Sequence, residues 1–65
     1  MIYTRKENCG AYDRITTVTD SGEYEQIVVW PDGIVTSHYK TALKEMGWSG
    51  TAEFLNHKKG FTATT

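Results

Sequence analysis

The sequence predicts an α+β domain in which a three-stranded antiparallel meander packs against one or two short C-terminal helices. Two observations predict the meander. Residues 14–19 and 23–30 are rich in β-branched and aromatic side chains, and each run is followed by a turn cluster, at residues 20–22 and 31–33. A third observation predicts the helices, because the apolar spacing after residue 38 changes from two to about 3.6.

The predicted strands cover residues 14–19, 23–30 and 34–36. Pro31 suits the first turn position because its φ is fixed, and Gly33 accepts the positive φ of a tight turn. Two tight connections in succession favour antiparallel neighbours, with residues 23–30 as the central strand. Residues 1–13 carry few apolar side chains, so we expect an irregular arm or a short fourth strand there.

Four apolar residues at helical spacing predict a first helix of about nine residues. Ser37 suits the N-cap of this helix, and Gly47 suits a left-handed residue at its end. A second helix is predicted over residues 51–59, with Ala52 and Leu55 facing inward. The four apolar residues of the first helix are Tyr39, Ala42, Leu43 and Met46.

The strand over residues 23–30 is apolar on both of its faces near its carboxyl end. One or two short helices cover only one face of so small a sheet. The N-terminal arm, a second copy of the chain or a partner protein must therefore cover the other face. The first face carries Tyr24, Gln26, Val28 and Trp30, and the second carries Glu23, Glu25, Ile27 and Val29.

The chain length of 65 residues predicts one domain over residues 1–65, with little surface left for a deep pocket. The formal net charge is −1, which gives no strong overall field towards nucleic acid or a membrane. The distribution is uneven. Residues 1–33 carry three basic and six acidic side chains, whereas residues 34–65 carry four basic and two acidic ones.

Cysteine content and hydropathy predict the compartment. Cys9 is the only cysteine, so an internal disulfide is excluded and a reducing cytoplasm is expected. No apolar stretch approaches the length of a membrane span, which is about 18 residues. The start of the chain lacks the apolar region of a signal peptide. We therefore expect a cytoplasmic protein that does not contact membranes.

Few side chains are available for catalysis: Cys9, His38 and His57, besides serine hydroxyls. Their spacing does not predict a nucleophile with a base and an orienting group. Structural zinc takes four closely paired Cys or His ligands, and the chain has three such residues in all. Residues 47–50 lack the length and the lysine of a phosphate-binding loop. We expect a non-enzymatic protein without a metal or another cofactor.

The aromatic content is the remaining signal, with eight aromatic residues in a chain whose core must be thin. Exposed Trp and Tyr side chains anchor protein interfaces. We therefore expect stoichiometric binding to another protein or to a second copy, through the uncovered face and its acidic edge. Small phage and bacterial regulators or inhibitors of larger proteins offer the analogy. The residues expected at this interface are Tyr24, Trp30, Glu23, Glu25, Ile27 and Val29.

A second hypothesis is a nucleic-acid-binding regulator that uses the basic C-terminal half. Residues 42–49 resemble the first helix and turn of a helix-turn-helix motif, with Gly47 at the turn. That motif requires apolar residues where this chain has Glu53 and Asn56, so its second half departs from the pattern. Phosphate groups would contact Lys40, Lys44, Lys58 and Lys59.

Overall fold

The computed structural model describes residues 1–64, apart from the side chains of residues 37 and 38. The five strands form one antiparallel sheet in the order β4-β3-β2-β1-β5. The predicted combination of an antiparallel sheet with a short helix is confirmed, but the sheet has more strands than the three or four predicted. The elements are β1 (Ile2–Asn8), β2 (Asp13–Thr19), β3 (Glu23–Val29), β4 (Val35–Ala42), a 3₁₀ turn (Leu43–Met46), α1 (Thr51–His57) and β5 (Thr62–Thr64).

The turn between β3 and β4 forms where its proline and glycine predict it. The Trp30 N–H donates to the Ile34 carbonyl at 2.9 Å, and the Gly33 N–H donates to the Trp30 carbonyl at 2.9 Å. Asp32 Oδ1 accepts a hydrogen bond from the Ile34 N–H at 3.1 Å. Gly33 has a φ of 89°, a conformation that residues with a Cβ rarely adopt. The turn therefore fixes the register at which β4 begins.

The N-terminal segment is a regular strand, so of the two expected alternatives the added strand is confirmed and the irregular arm is wrong. β1 pairs with β2 along its whole length, and its first residues also pair with β5. The Tyr3 hydroxyl donates to Asp20 at 2.9 Å, which ties β1 to the turn after β2. Because β1 lies within the sheet, it does not cover a face of the sheet. The N-terminal segment is therefore excluded from the three alternatives considered for covering the second face.

Residues 35–42 form β4, so the first predicted helix is wrong. Of its four apolar residues only Leu43 is buried, and Tyr39 and Met46 are exposed. The tight turn after β3 brings this segment alongside the outer edge of β3, whose backbone groups need hydrogen-bond partners. Strand pairing therefore outweighs the local helical spacing. Ser37, the predicted N-cap, lies within β4, and its side chain is outside the described residues.

Helical structure in this region is confined to the 3₁₀ turn Leu43–Met46. Gly47 ends it in the left-handed conformation, with a φ of 95°, as its position predicts. The Trp48 N–H then donates to the Leu43 carbonyl at 3.0 Å, which satisfies a carbonyl left unpaired at the end of the turn. This exit directs the chain back across the sheet towards α1.

α1 covers one face of the sheet, which we call the helix face and which carries Val18 and Tyr24. Phe54 of α1 is buried against the Tyr24 ring, edge-on at 5.9 Å between ring centroids. α1 ends at His57, two residues before its predicted end, and Ala52 is exposed rather than inward. The core consists of Val18, Tyr24, Leu43 and Phe54, with Trp48, Leu55 and Phe61 packed against it.

The opposite face, which we call the open face, has neither α1 nor the 3₁₀ turn against it within residues 1–64. Ile15 of β2 lies opposite Ile27 of β3, and Val29 lies opposite Val35 of β4. These four side chains form an apolar group on one surface, because alternate residues of a strand share a face. Ile15, Ile27 and Val29 are only half-buried by their own chain.

Replacing Leu43 by alanine should lower the free energy of unfolding by about 2–5 kcal/mol, because this side chain is 1% exposed in a thin core. The same change at Met46, which is 38% exposed, should cost about 0.5 kcal/mol or less. Urea denaturation followed by far-UV circular dichroism measures both. Equal losses in the two variants would contradict the placement of the 3₁₀ turn.

Candidate functional site

Two hairpin turns lie side by side at one end of the sheet. Residues 9–12 join β1 to β2, and residues 30–34 join β3 to β4. They are neighbours because β2 pairs with β3. The rings of Tyr12 and Trp30 meet between the turns, with centroids 5.3 Å apart and planes tilted by 53°. This contact places two aromatic side chains at the tip of the molecule.

The Trp30 side chain is held in place by groups of its own hairpin. Its indole N–H donates to the hydroxyl of Thr36 in β4, and its backbone takes part in both turn hydrogen bonds. The Tyr12 ring packs against one side of it. Even so, 37% of Trp30 is exposed. A ring fixed in this way loses little further conformational entropy when a partner covers it.

Grooves lie on both sides of Trp30. The larger has a volume of about 420 Å³ and is lined by Trp30, Pro31, Asp32, Ile34 and Thr36. The smaller, of about 210 Å³, lies between the two turns and includes Tyr12 and Asp13. Ile34 is 56% exposed and Val35 is 54% exposed. We call the surface formed by Trp30, Pro31, Ile34 and Val35 the apolar tip.

The apolar tip is continuous with the open face, because Val35 lies opposite Val29 and next to the turn. Of the predicted interface residues, Ile27 and Val29 share the open face, and Val29 also borders the smaller groove. The Trp30 indole lies on the helix-face side of the turn, where it donates to Thr36, the partner of Val28. Glu23 and Glu25 lie on the open face towards its other end, where Glu25 is opposite Lys40 and Glu23 is opposite Ala42.

Tyr24 requires a correction, because only 8% of it is exposed. Its ring meets Phe54 at 5.9 Å and Tyr39 at 6.0 Å on the helix face. It is therefore a core residue and does not belong to an interaction surface. The exposed ring of this pair is Tyr39, which is on the edge strand β4.

Sequence reasoning missed Pro31, Ile34 and Val35 as surface residues. Their position around a turn is a usable signal, since a hairpin tip has no neighbouring element to bury its side chains. Tyr12 belongs to residues 1–13, for which the sequence predicts an irregular arm or a fourth strand and no contact with Trp30. Only the pairing of β2 with β3 brings it to Trp30.

The charged side chains around the two turns are largely paired with one another. Glu7 accepts hydrogen bonds from Arg14 and Arg5 at 3.3 Å, and Lys6 lies 3.6 Å from Asp13. The hydrogen bond from Arg14, together with the charges of Arg5 and Arg14, holds the pKa of Glu7 below its ordinary value. The same pair raises the pKa of Arg14.

Asp32 differs from these acidic groups. Its carboxylate accepts the Ile34 N–H within the turn, and it makes no ion pair within the part of the chain that the structure describes. It lines the larger groove beside Trp30. The tip thus combines an apolar surface with one carboxylate that is not neutralised by a neighbouring cation.

The four lysines of the second hypothesis do not share one surface. Lys40 is on the open face opposite Glu25, whereas α1, with Lys58 and Lys59 directly after it, is on the helix side. Lys58 Nζ lies 6.0 Å from the centroid of the Trp48 ring. Lys44 is in the 3₁₀ turn. Lys58 and Lys59 are adjacent in the chain and follow the carboxyl end of α1, where cations complement the helix dipole.

The candidate catalytic residues are separated in the fold. Cys9 is half-buried in the turn between β1 and β2, whereas the His57 ring packs on Trp48 at 5.5 Å, beside the core. The His38 side chain is outside the described residues. Among described residues, no group of three or more His, Cys, Asp or Glu side chains could hold a metal ion. Within the same residues, no helix has the length and apolarity needed to cross a membrane.

Comparison of the chain with protein-family models, with curated proteins and with solved structures finds no match.

Replacing Glu7 by glutamine should lower the free energy of unfolding at pH 7. That free energy should then decrease less than in the wild type as the pH falls. Since the folded pKa of Glu7 lies below its ordinary value of 4.5, its ion pairs add stability above pH 4.5, which is lost as the pH falls through the folded pKa. Urea denaturation between pH 7 and pH 2 should show the gap between wild type and E7Q closing at the acid end. A remaining fall in E7Q is expected, because the pKa of Asp20 is also lowered. A gap that is constant with pH would contradict the ion pairs.

Random duplex DNA at low salt should leave the anisotropy of tryptophan fluorescence unchanged, because the lysines do not converge on one surface. Trp48 lies beside Lys58 and would report a complex formed there. A signal that rises with DNA and is lost steeply with added salt would show counterion release and contradict this expectation.

Proposed function

We propose that this chain is a small non-enzymatic binding protein, a regulator or inhibitor that docks on a larger protein through the apolar tip. Ile27 and Val29 of the open face extend the contact. The observation that supports this most directly is Trp30, a large aromatic side chain that is exposed and yet held rigidly by its own hairpin. Tryptophan is the residue type most enriched among the side chains that dominate binding energy.

The arrangement of Trp30 favours binding over a purely structural role. A tryptophan that stabilised the fold would be expected against the core, as Trp48 is. Trp30 instead extends the surface of a turn whose backbone hydrogen bonds do not require an indole. Its fixed ring offers apolar area at low entropic cost, and the exposed side chains of Ile34 and Val35 enlarge that area.

The position of the tip separates binding from folding. The core residues Val18 and Tyr24 lie towards the other end of the sheet, where Phe54 of α1 packs on them. The molecule is elongated, with dimensions of 36 × 21 × 20 Å, so a partner can engage the tip without contacting the core. Substitutions at the tip should therefore alter binding while the fold persists.

Replacing Trp30 by alanine should weaken the complex at least about 30-fold, the equivalent of about 2 kcal/mol. Met46→Ala is the matched control, because Met46 is an apolar side chain of the same exposure beyond the other end of β4. Immobilised wild type, W30A and M46A are incubated with lysate of the source cells, and retained proteins are quantified by mass spectrometry. A protein retained by wild type and M46A but not by W30A is expected, and calorimetry with the purified partner gives the change in affinity.

Two controls make the result decisive. W30A retains Trp48, whose fluorescence and unfolding midpoint report whether the core is intact. Equal retention by W30A and wild type would contradict the apolar tip as the binding surface. Sedimentation equilibrium of the wild type tests whether the chain binds a second copy of itself. A dimer abolished by W30A would keep the surface but replace the larger partner with self-association.

A further inference from the structure

The larger groove beside Trp30 has a chemical composition that restricts what it can bind. Trp30, Pro31 and Ile34 give it apolar walls, and its volume of about 420 Å³ is within the range of ligand clefts, about 300–1,000 Å³. Two polar groups complete the lining, the Thr36 hydroxyl and the Asp32 carboxylate. An occupant must therefore be mainly apolar, with a polar group able to meet one of these two.

The Thr36 hydroxyl accepts the indole N–H of Trp30, which uses one of its two lone pairs. Asp32 is the charged group of the lining and the stronger acceptor. Its single described hydrogen bond, from the Ile34 N–H at 3.1 Å, leaves the carboxylate with acceptor capacity, since two oxygens accept up to about four hydrogen bonds. A complementary occupant of this groove places a donor beside Asp32.

The negative charge of Asp32 determines which charge the donor group should carry. The other acidic groups near the two turns, Glu7 and Asp13, are balanced by Arg14, Arg5 and Lys6. Asp32 has no such cation in the described residues, so its field extends into the groove. A lysine or arginine is favoured there, and a phosphate or a carboxylate is repelled.

Resting on the proposed function, we propose that the groove binds a short extended segment of the partner in which an apolar side chain lies within a few residues of a lysine or arginine. The apolar side chain fills the space beside Trp30, and the cation pairs with Asp32. Thr36, one wall of the groove, belongs to β4, the outermost strand of the sheet. An extended segment fits there because such a segment can lie along an exposed sheet edge. The partner class is thus a protein with an exposed apolar and basic segment.

Random 12-residue peptides displayed on phage provide the probe. Selections are run in parallel against wild type, W30A, D32N and D32K. The asparagine side chain keeps an oxygen that can accept the Ile34 N–H, so D32N removes the charge and preserves the turn. Wild type should enrich peptides with an apolar residue near Lys or Arg. D32N should lose the basic preference and keep the apolar one, and D32K should select acidic residues instead.

A synthetic peptide from the wild-type selection then gives the magnitude. Its affinity for D32N should fall about 10-fold, which corresponds to about 1.4 kcal/mol. Added salt should weaken binding to wild type more than binding to D32N, because the charge pair at the surface is screened. Far-UV circular dichroism and Trp48 fluorescence establish that each variant is folded.

The remaining outcomes separate this inference from the proposed function. Peptides that depend on Trp30 but show no basic preference would overturn the role of Asp32 and leave the apolar tip as the binding surface. A library without Trp30-dependent peptides overturns the inference, and the lysate experiment then decides the proposed function independently. Enrichment of acidic peptides by wild type would overturn the assigned partner chemistry.

Discussion

The Phe54 ring holds the covered half of this molecule together. It meets Tyr24 of β3, Trp48 after the 3₁₀ turn and Phe61 before β5, at centroid distances of 5.9, 5.4 and 5.5 Å and steep interplanar angles. Edge-to-face contacts of this kind stabilise by about 0.5–1.5 kcal/mol each beyond the area they bury. α1, with seven residues, is too short to be stable by itself, so these contacts are what keep it folded.

A core concentrated around one ring leaves the far half of the sheet to other forces. There the strands are held by backbone hydrogen bonds and by the ion pairs of Glu7 and Asp13, and the Tyr12 and Trp30 rings meet only at the turns. Exposed ion pairs contribute little stability, typically about 0–1 kcal/mol. The tip is thus the part of the fold where apolar surface is least needed internally, which makes its apolar residues informative about binding.

Local signals predicted the turns and failed for β4. Pro31 and Gly33 determine their own backbone angles, so the turn between β3 and β4 can be located from the sequence. The secondary structure of residues 35–42 depends on pairing with β3, which is a neighbour in space. The spacing of Tyr39 and Leu43 carries no information about that pairing. The sparse apolar content of β1 leaves the choice between an arm and a strand open for the same reason, because its hydrogen bonds with β2 define the strand.

In the candidate site, too, the features set by the local sequence could be predicted, and those set by neighbours in space could not. Alternation along β3 predicts that Ile27 and Val29 share a surface, and the structure brings them next to Val35. Tyr24 looks equivalent to Trp30 by alternation, yet one ring is buried and the other exposed, because Phe54 reaches only the first. The lysines make a basic half in the chain but not a basic surface, because Lys40 of β4 is on the open face, whereas Lys58 and Lys59 follow α1 on the helix side.

The elongated shape limits how much area an end-on complex can bury. The whole molecule measures 21 × 20 Å across its long axis, and that width includes α1, which lies towards the end away from Trp30. A partner that covers this end alone therefore buries less than the about 800 Å² per partner of a standard interface. Such a contact fits a complex that forms and dissociates rapidly, whose lifetime depends on how closely one indole fits rather than on total area.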